Sequence, residues 1–251
     1  MLLQHGYGEY AERFVSQYHE LIPNLLAAGI DVYAIDLPGH GRSPGRRGSL
    51  DVREGARHHL AAKRALAARG PVFLFGHSLG GLVTAHTVVE DQTNVRGVVL
   101  MSPALPMPAG PVLHGLATAL AAVAPHAPAP LRAAPASSLS RRAENADRYA
   151  ADPLIYKGRL TNLTARTSLL TAEDVWRRAS GWQTPTLILH GASDRSTDPG
   201  GSMRIFEEIA STDKTLELVR GGHHELLNDL DRDRVRTIAL DWTRLRIPAS
   251  R

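Results

Sequence analysis

The sequence predicts an α/β protein: a mainly parallel sheet flanked by helices, interrupted by one helical insertion. Three observations carry this. Short apolar runs recur down the chain and end at glycine or at small polar residues. Helix-length segments with charged faces separate them. One long stretch, 103–181, holds no strand-like run but nine of the sixteen prolines. Strand–helix–strand alternation builds a parallel sheet covered on both faces.

In chain order, Leu2-Leu3-Gln4-His5 is the first run and meets Gly6. Tyr10–Ala28 follows with helix length, and Gly29 stands where a C-cap belongs. Ile30–Ile35 is the second run. Val52–Arg69 is the next helix, closed by Gly70. Val72–Phe75 and Val98–Met101 are strands, with the helix Leu79–Glu90 between them. Thr186–Leu189 and Thr215–Val219 complete the sheet, with helices at Gly201–Ala210 and Arg232–Arg244. The runs are rich in β-branched and aliphatic residues, as strands buried on both faces should be. Inside 103–181, Val112, Leu116, Leu120 and Val123 repeat at helical spacing. Residues 1–102 and 182–251 therefore read as one core domain, with 103–181 as its helical cap or lid.

Composition narrows the chemistry. Cysteine is absent, which excludes disulfides, thiolate metal sites and a cysteine nucleophile. The formal charge is +4 and the basic residues are scattered, so no nucleic-acid surface is expected. The three Trp, six Tyr and four Phe are too few for base stacking along a strand. Val112–Val123 falls short of the ~20 apolar residues needed to span a bilayer. No charged leader followed by an apolar block opens the chain, which predicts a cytoplasmic protein, at most peripheral to a membrane. Neither metal nor cofactor is expected.

One motif carries chemistry. Gly76-His77-Ser78-Leu79-Gly80 fits G-x-S-x-G, follows four apolar residues and opens a helix. The bare pattern arises by chance in about one chain in ten of this composition, so its context is what counts. A serine at a sharp strand-to-helix turn has a strained backbone and an exposed hydroxyl. The glycines avoid Cβ clashes across the turn, and the helix N-terminus sets the N–H of Leu79 beside a developing oxyanion. A serine that only capped a helix would not need glycine on both sides.

A serine nucleophile needs a base, and the base needs a carboxylate to orient it. Asp194 and Asp198 both follow the strand Thr186–Leu189. Asp198 precedes Pro199 and also reads as a helix N-cap. His223 and His224 both follow the strand Thr215–Val219. His224-Glu225-Leu226-Leu227-Asn228 lacks the second histidine of a zinc-protease H-E-x-x-H. His40, His58, His59, His77, His114 and His126 read as structural or solvent-facing.

The chain resembles the serine α/β-hydrolases, and within them the monoacylglycerol lipase and lysophospholipase branch. The resemblance rests on blocks that occur in order along nearly the whole chain. They are His5-Gly6-Tyr7-Gly8-Glu9, Asp36-Leu37-Pro38-Gly39-His40-Gly41, Gly76–Gly81, Asp152-Pro153-Leu154, Leu189–Arg195 and Gly221–Asn228. It implies the order Ser78, Asp194, His224 for the triad. It implies Tyr7 with Leu79 as backbone donors to the oxyanion, and His223 as a pocket-lining residue. The implied substrate is a monoacylglycerol; lysophospholipids and short-chain esters are the near alternatives. A carbon–carbon bond hydrolase or a non-catalytic binding protein on the same scaffold is more distant. The cap supplies the apolar pocket, where Leu116 and Leu120 would line an acyl chain, and its greasy helix would touch a micelle or membrane surface.

One departure stands out. The resemblance implies a leading pair of strands before the first run, and Met1 already stands inside what would be the third. The fold class expected is thus the α/β-hydrolase fold with an N-terminal strand pair missing. Ile30–Ile35 then becomes an exposed sheet edge through which a second copy would associate as a homo-oligomer.

Overall fold

The computed structural model describes residues 1–132 and 134–247. Six strands form one parallel sheet: β1 (Leu2–Gln4), β2 (Tyr33–Ile35), β3 (Val72–His77), β4 (Val95–Met101), β5 (Thr186–Gly191) and β6 (Lys214–Val219). Their spatial order is β2-β1-β3-β4-β5-β6, so the chain reverses direction across the sheet between β2 and β3. Val99 pairs with Phe75 on one side and Leu187 on the other. β2 is an edge strand that pairs with β1, as expected for the Ile30–Ile35 run.

The pleat sends alternate side chains to opposite faces. Leu2, Leu74, Val98, Leu100 and Ile188 pack into one apolar cluster. Leu3, Phe75, Val99, Met101 and Leu187 pack into the other. Helices α3 (Val52–Ala67), α4 (Leu79–Glu90) and α8 (Pro199–Glu208) cover the first face. Helices α1 (Arg13–Ser16), α2 (Leu21–Ala27) and α9 (Arg232–Arg244) cover the second.

Two expectations meet a different structure. The Tyr10–Ala28 helix is broken, because Tyr18, His19 and Glu20 take left-handed φ values of 48, 53 and 53°. Each such residue costs about 1–2 kcal/mol. The kink is held from a distance: the Tyr18 N–H donates to Asn228 Oδ1 at 2.7 Å, and the Tyr18 ring stacks on Phe14 with centroids 4.0 Å apart. The stretch 103–181 also divides. It contains α5 (Pro111–Val123), α6 (Ala143–Ala151) and α7 (Asn162–Arg178). α7 packs on α3 and α4, and its Ala172, Val175 and Trp176 belong to the core. Thr164 and Thr167 accept hydrogen bonds from Leu50 N and Val52 N, each at 3.0 Å. Among the described residues, α5, α6 and the segments beside them stand off the sheet as a cover.

A buried charge network ties three loops together. Arg13 reaches Glu9 at 2.7 Å and Glu225 at 3.3 Å, and all three are almost fully buried. Glu9 Oε1 accepts from Gly6 N at 2.7 Å and lies 2.8 Å from His77 Nδ1, while its other oxygen accepts from the Tyr18 hydroxyl at 2.6 Å. Glu225 Oε2 accepts from Asn228 and Asn145 at 2.7 and 2.9 Å. Burial alone would push both carboxyls up. His77 and Arg13 outweigh it at Glu9, and Arg13 with Asn228 outweighs it at Glu225, so both lie below the ordinary range.

These shifts fix the pH dependence of stability. Burial lowers His40 to about 4 and His59 to about 3, so below the unfolded value of 6.5 the unfolded chain takes up protons that these residues refuse. Below 4.5 the depressed Glu9 and Glu225 add to the loss. Arg13→Met removes the guanidinium that bridges two buried carboxylates and should cost about 3–5 kcal/mol at pH 8. Burial then raises those carboxyls, so they protonate on acidification and the penalty relative to wild type should shrink by pH 5. Urea unfolding at the two pH values measures this. A penalty below about 1 kcal/mol, or one independent of pH, would disprove the assignment.

Candidate active site

Every chemical group of the site lies at a strand's C-terminal end. Ser78 follows β3 at the N-cap of α4, with φ 53° and ψ −121°. A non-glycine residue held there stores about 1–3 kcal/mol, which its surroundings must offset. The Ser78 N–H donates to Met101 O at 3.0 Å, and its carbonyl accepts from Gly81 N at 2.9 Å and Ala104 N at 2.8 Å. The turn is crowded. A Cβ on Gly80 would strike the carbonyl oxygens of Gln4 and His5, and one on Gly76 would lie 2.5 Å from the Gly80 carbonyl. The glycines of the motif therefore serve close approach of α4 to β1 and β3.

The loop after β1 lies against the same serine. A Cβ on Gly6 would stand 2.9 Å from the Ser78 Cβ. The N–H groups of Tyr7 and Leu79 find no protein acceptor among the described residues. The Tyr7 hydroxyl reaches the carbonyls of Gly48 at 2.7 Å and Arg159 at 3.0 Å, which pins this loop beneath the cover.

His224 is 5 % exposed, and its Nδ1 lies 2.7 Å from Asp194 Oδ2. Donation from Nδ1 to the carboxylate leaves Nε2 as the basic nitrogen of the ring. Asp194 is well supplied with donors. Ser196 N and Thr197 N reach Oδ1 at 2.7 and 3.1 Å, and the Thr197 hydroxyl reaches Oδ2 at 2.8 Å. Burial would raise this carboxyl; the His224 imidazole and the hydrogen bonds from His190, His224 and Ser196 hold it far below the ordinary range.

The alternatives make other contacts. Asp198 accepts from Gly200 N at 2.8 Å and caps α8, as its Pro199 neighbour suggested. The His223 N–H donates to Asp229 at 2.9 Å, and the residue does not line the cavity in which Ser78 and His224 meet, contrary to the expected lining role. The reason is local: Gly221 takes φ 68°, and the turn directs His224 rather than His223 to the sheet's open end.

That cavity holds about 570 Å³. Leu113, Leu116 and Leu120 of α5 form one wall, with Leu131 and Leu169 beside them; His77, Tyr149 and Glu225 form a polar end. His77, expected to be structural or solvent-facing, is buried and lines it, with Nε2 unpartnered among the described residues. Sequence reasoning also left Glu9, Arg13 and Glu225 without a role. Glu9 and Glu225 stand in the quoted motifs, but Arg13 stands in none, and only the fold brings them together. Among the described residues no cluster of three His, Cys, Asp or Glu could hold a metal.

Comparison with known proteins agrees with this architecture. The family model Hydrolase_4, described as serine aminopeptidase S33, matches residues 1–231. A monoacylglycerol lipase of Mycolicibacterium smegmatis is 31% identical over 248 residues, covering 96% of this chain and 86% of the relative. The human monoglyceride lipase is 32% identical and covers 92% of this chain and 76% of its own. The crystal structure of the monoacylglycerol lipase of Paleococcus ferrophilus superposes with a TM-score of 0.87 at 32% identity, covering 98% of this chain and 94% of that one. The chain belongs to the serine α/β-hydrolases, in their monoacylglycerol lipase branch.

Proposed function

We propose that this protein hydrolyses a single-chain carboxylic ester through an acyl-enzyme, and that the ester is a monoacylglycerol. The observation that carries the reading is the one cavity shared by Ser78, His224 and the apolar wall of α5. Its volume suits a small amphiphile. An acyl chain fits against Leu113, Leu116 and Leu120, and glycerol hydroxyls find polar partners at the His77 and Tyr149 end. Family membership supports the same reaction class. The family model takes its description from an aminopeptidase, but an apolar wall favours an acyl chain over a peptide.

In this reading the Ser78 oxygen attacks the ester carbon while His224 Nε2 takes its proton. Asp194 holds the His224 tautomer and stabilises the imidazolium. The oxyanion accepts hydrogen bonds from the N–H groups of Tyr7 and Leu79, which have no other protein acceptor. His224 then returns the proton to the glycerol oxygen as it leaves. Water attacks the acyl-enzyme by the same route in reverse, releasing fatty acid and freeing Ser78.

No helix among the described residues is long and apolar enough to cross a membrane. α5 buries none of its residues, and Val112 and Val123 are 85 and 87 % exposed. We assign its outer face to contact with the micelle or membrane surface that holds the substrate. The free edge of β2 is the face through which a second copy would add.

Kinetics on a chain-length series of glycerol esters, beside lysophospholipids and short-chain esters, tests the proposal. Ser78→Ala, Asp194→Asn and His224→Ala should each lower kcat by about 10⁴–10⁶ with the fold intact. Near-normal turnover in Asp194→Asn would move the acid to Asp198, and in His224→Ala the base to His223. The cap has its own test: Leu116→Ser with Leu120→Ser should harm long-chain esters more than short ones. Equal losses on both would reduce α5 to a folding role.

A further inference from the structure

We infer that His190 is a positioning residue for this reaction: anchored by Ser202 and by the Thr197 carbonyl, it holds its ring N–H beside Asp194 and tunes how tightly that carboxylate grips His224. The inference rests on the reading of Ser78, Asp194 and His224 given above.

His190 lies near the end of β5 and is fully buried. Its Nε2 lies 3.2 Å from Asp194 Oδ2 and 3.4 Å from the Thr197 carbonyl. The Thr197 hydroxyl, 3.3 Å away, spends its proton on Asp194, and the other two neighbours only accept, so the ring proton sits on Nε2. Its Nδ1 lies 2.7 Å from the hydroxyl of Ser202, a fully buried residue of α8. With Nε2 protonated, Nδ1 is the acceptor and Ser202 donates. One neutral tautomer is thus specified from both sides of the ring.

Asp194 Oδ2 is therefore shared. His224 Nδ1 reaches it at 2.7 Å, the Thr197 hydroxyl at 2.8 Å and His190 Nε2 at 3.2 Å. A neutral N–H dipole beside a carboxylate disperses its charge, so an imidazolium at His224 is held less tightly than by a bare Asp194. The titratable groups around His224 are Asp194 and His190 from the β5 end, His77 from the β3 end at 5.0 Å between ring centroids, its neighbour Glu225 with Glu9 and Arg13 of the buried network, and Asp198 of α8, which lines the same cavity. His190 does not line the cavity, so its effect on substrate is indirect.

The test compares wild type with His190→Leu, His190→Gln and Ser202→Ala on one glycerol ester across pH. His190→Leu should lower kcat about 10–100-fold with KM nearly unchanged, because the triad loses alignment rather than substrate contact. The acid limb of kcat/KM should move up by about half to one pH unit, since a less dispersed Asp194 charge makes His224 more basic. Glutamine offers an amide N–H near the Nε2 position, so His190→Gln should recover kcat to within about fivefold of wild type and return the limb. Ser202→Ala weakens the donation from Nε2 and should move the limb the same way by less. An unmoved limb in His190→Leu and Ser202→Ala overturns the inference, as does a His190→Gln variant as impaired as His190→Leu. Should His190→Leu fail to fold, the limb in Ser202→Ala decides alone. Labelling of wild-type Ser78 by a fluorophosphonate separates the two levels: without it the triad reading falls and the His190 role with it, whereas labelling with an unmoved limb overturns only the latter.

Discussion

Because all six strands run parallel, their C-terminal ends open on the same side of the sheet. Every reactive group is a consequence of that constraint. The loops after β1, β3, β5 and β6 deliver Tyr7, Ser78, Asp194 and His224, and the segment after β4 closes behind the serine through the Ala104 N–H. The site lies where the strand order reverses, since β1 and β3 are neighbours while their helices depart to opposite faces. Such a switch point leaves a crevice without a crossover above it, and ligands occupy it in open α/β sheets. Loops alone would hold this geometry poorly. Here each is drawn onto a strand end by a backbone or side-chain bond, and the cavity inherits the rigidity of the sheet.

The buried charges complete that constraint. The Glu9 carboxylate touches the backbone of the β1 loop at Gly6 and the ring of His77, which precedes Ser78, and Arg13 passes the connection to Glu225, next to His224. Three loops that share no sequence neighbourhood are thereby fixed to one another beneath the cavity. A well-packed apolar cluster would stabilise the fold as well or better. It would not fix the loops' register, because apolar contacts are non-directional whereas a guanidinium between two carboxylates has few allowed geometries. The strained backbone at Ser78 and at Tyr18–Glu20 borders this network, and its bonds to Tyr18 help to hold that strain in place.

How far the sequence reveals this depends on the range of the interaction. The strands are legible because four to seven apolar residues flanked by glycine leave few alternatives, and the elbow is legible because its glycines, serine and helix start are contiguous. α7 is hidden because its inward face carries Thr164, Thr167 and Thr171, which bond to backbone and to one another rather than advertise themselves as apolar. The break at Tyr18–Glu20 is hidden because the group that secures it, Asn228, lies 210 positions away. The same distance conceals the roles of Arg13 and His77. His223 and His224 differ by one residue of register, and it is the fold that sets His224 on Asp194 and His223 on Asp229.

The cover follows a different physical rule from the core. α5 carries no charged residue apart from His114, and none of its side chains is buried. Two polar contacts join it to α7: Arg166 Nε donates to Thr118 Oγ1 at 2.6 Å, and His114 Nε2 lies 2.5 Å from Glu173. Because α7 is anchored in the core, α5 is suspended from a fixed beam by its polar flank, with apolar residues facing both the cavity and the outside.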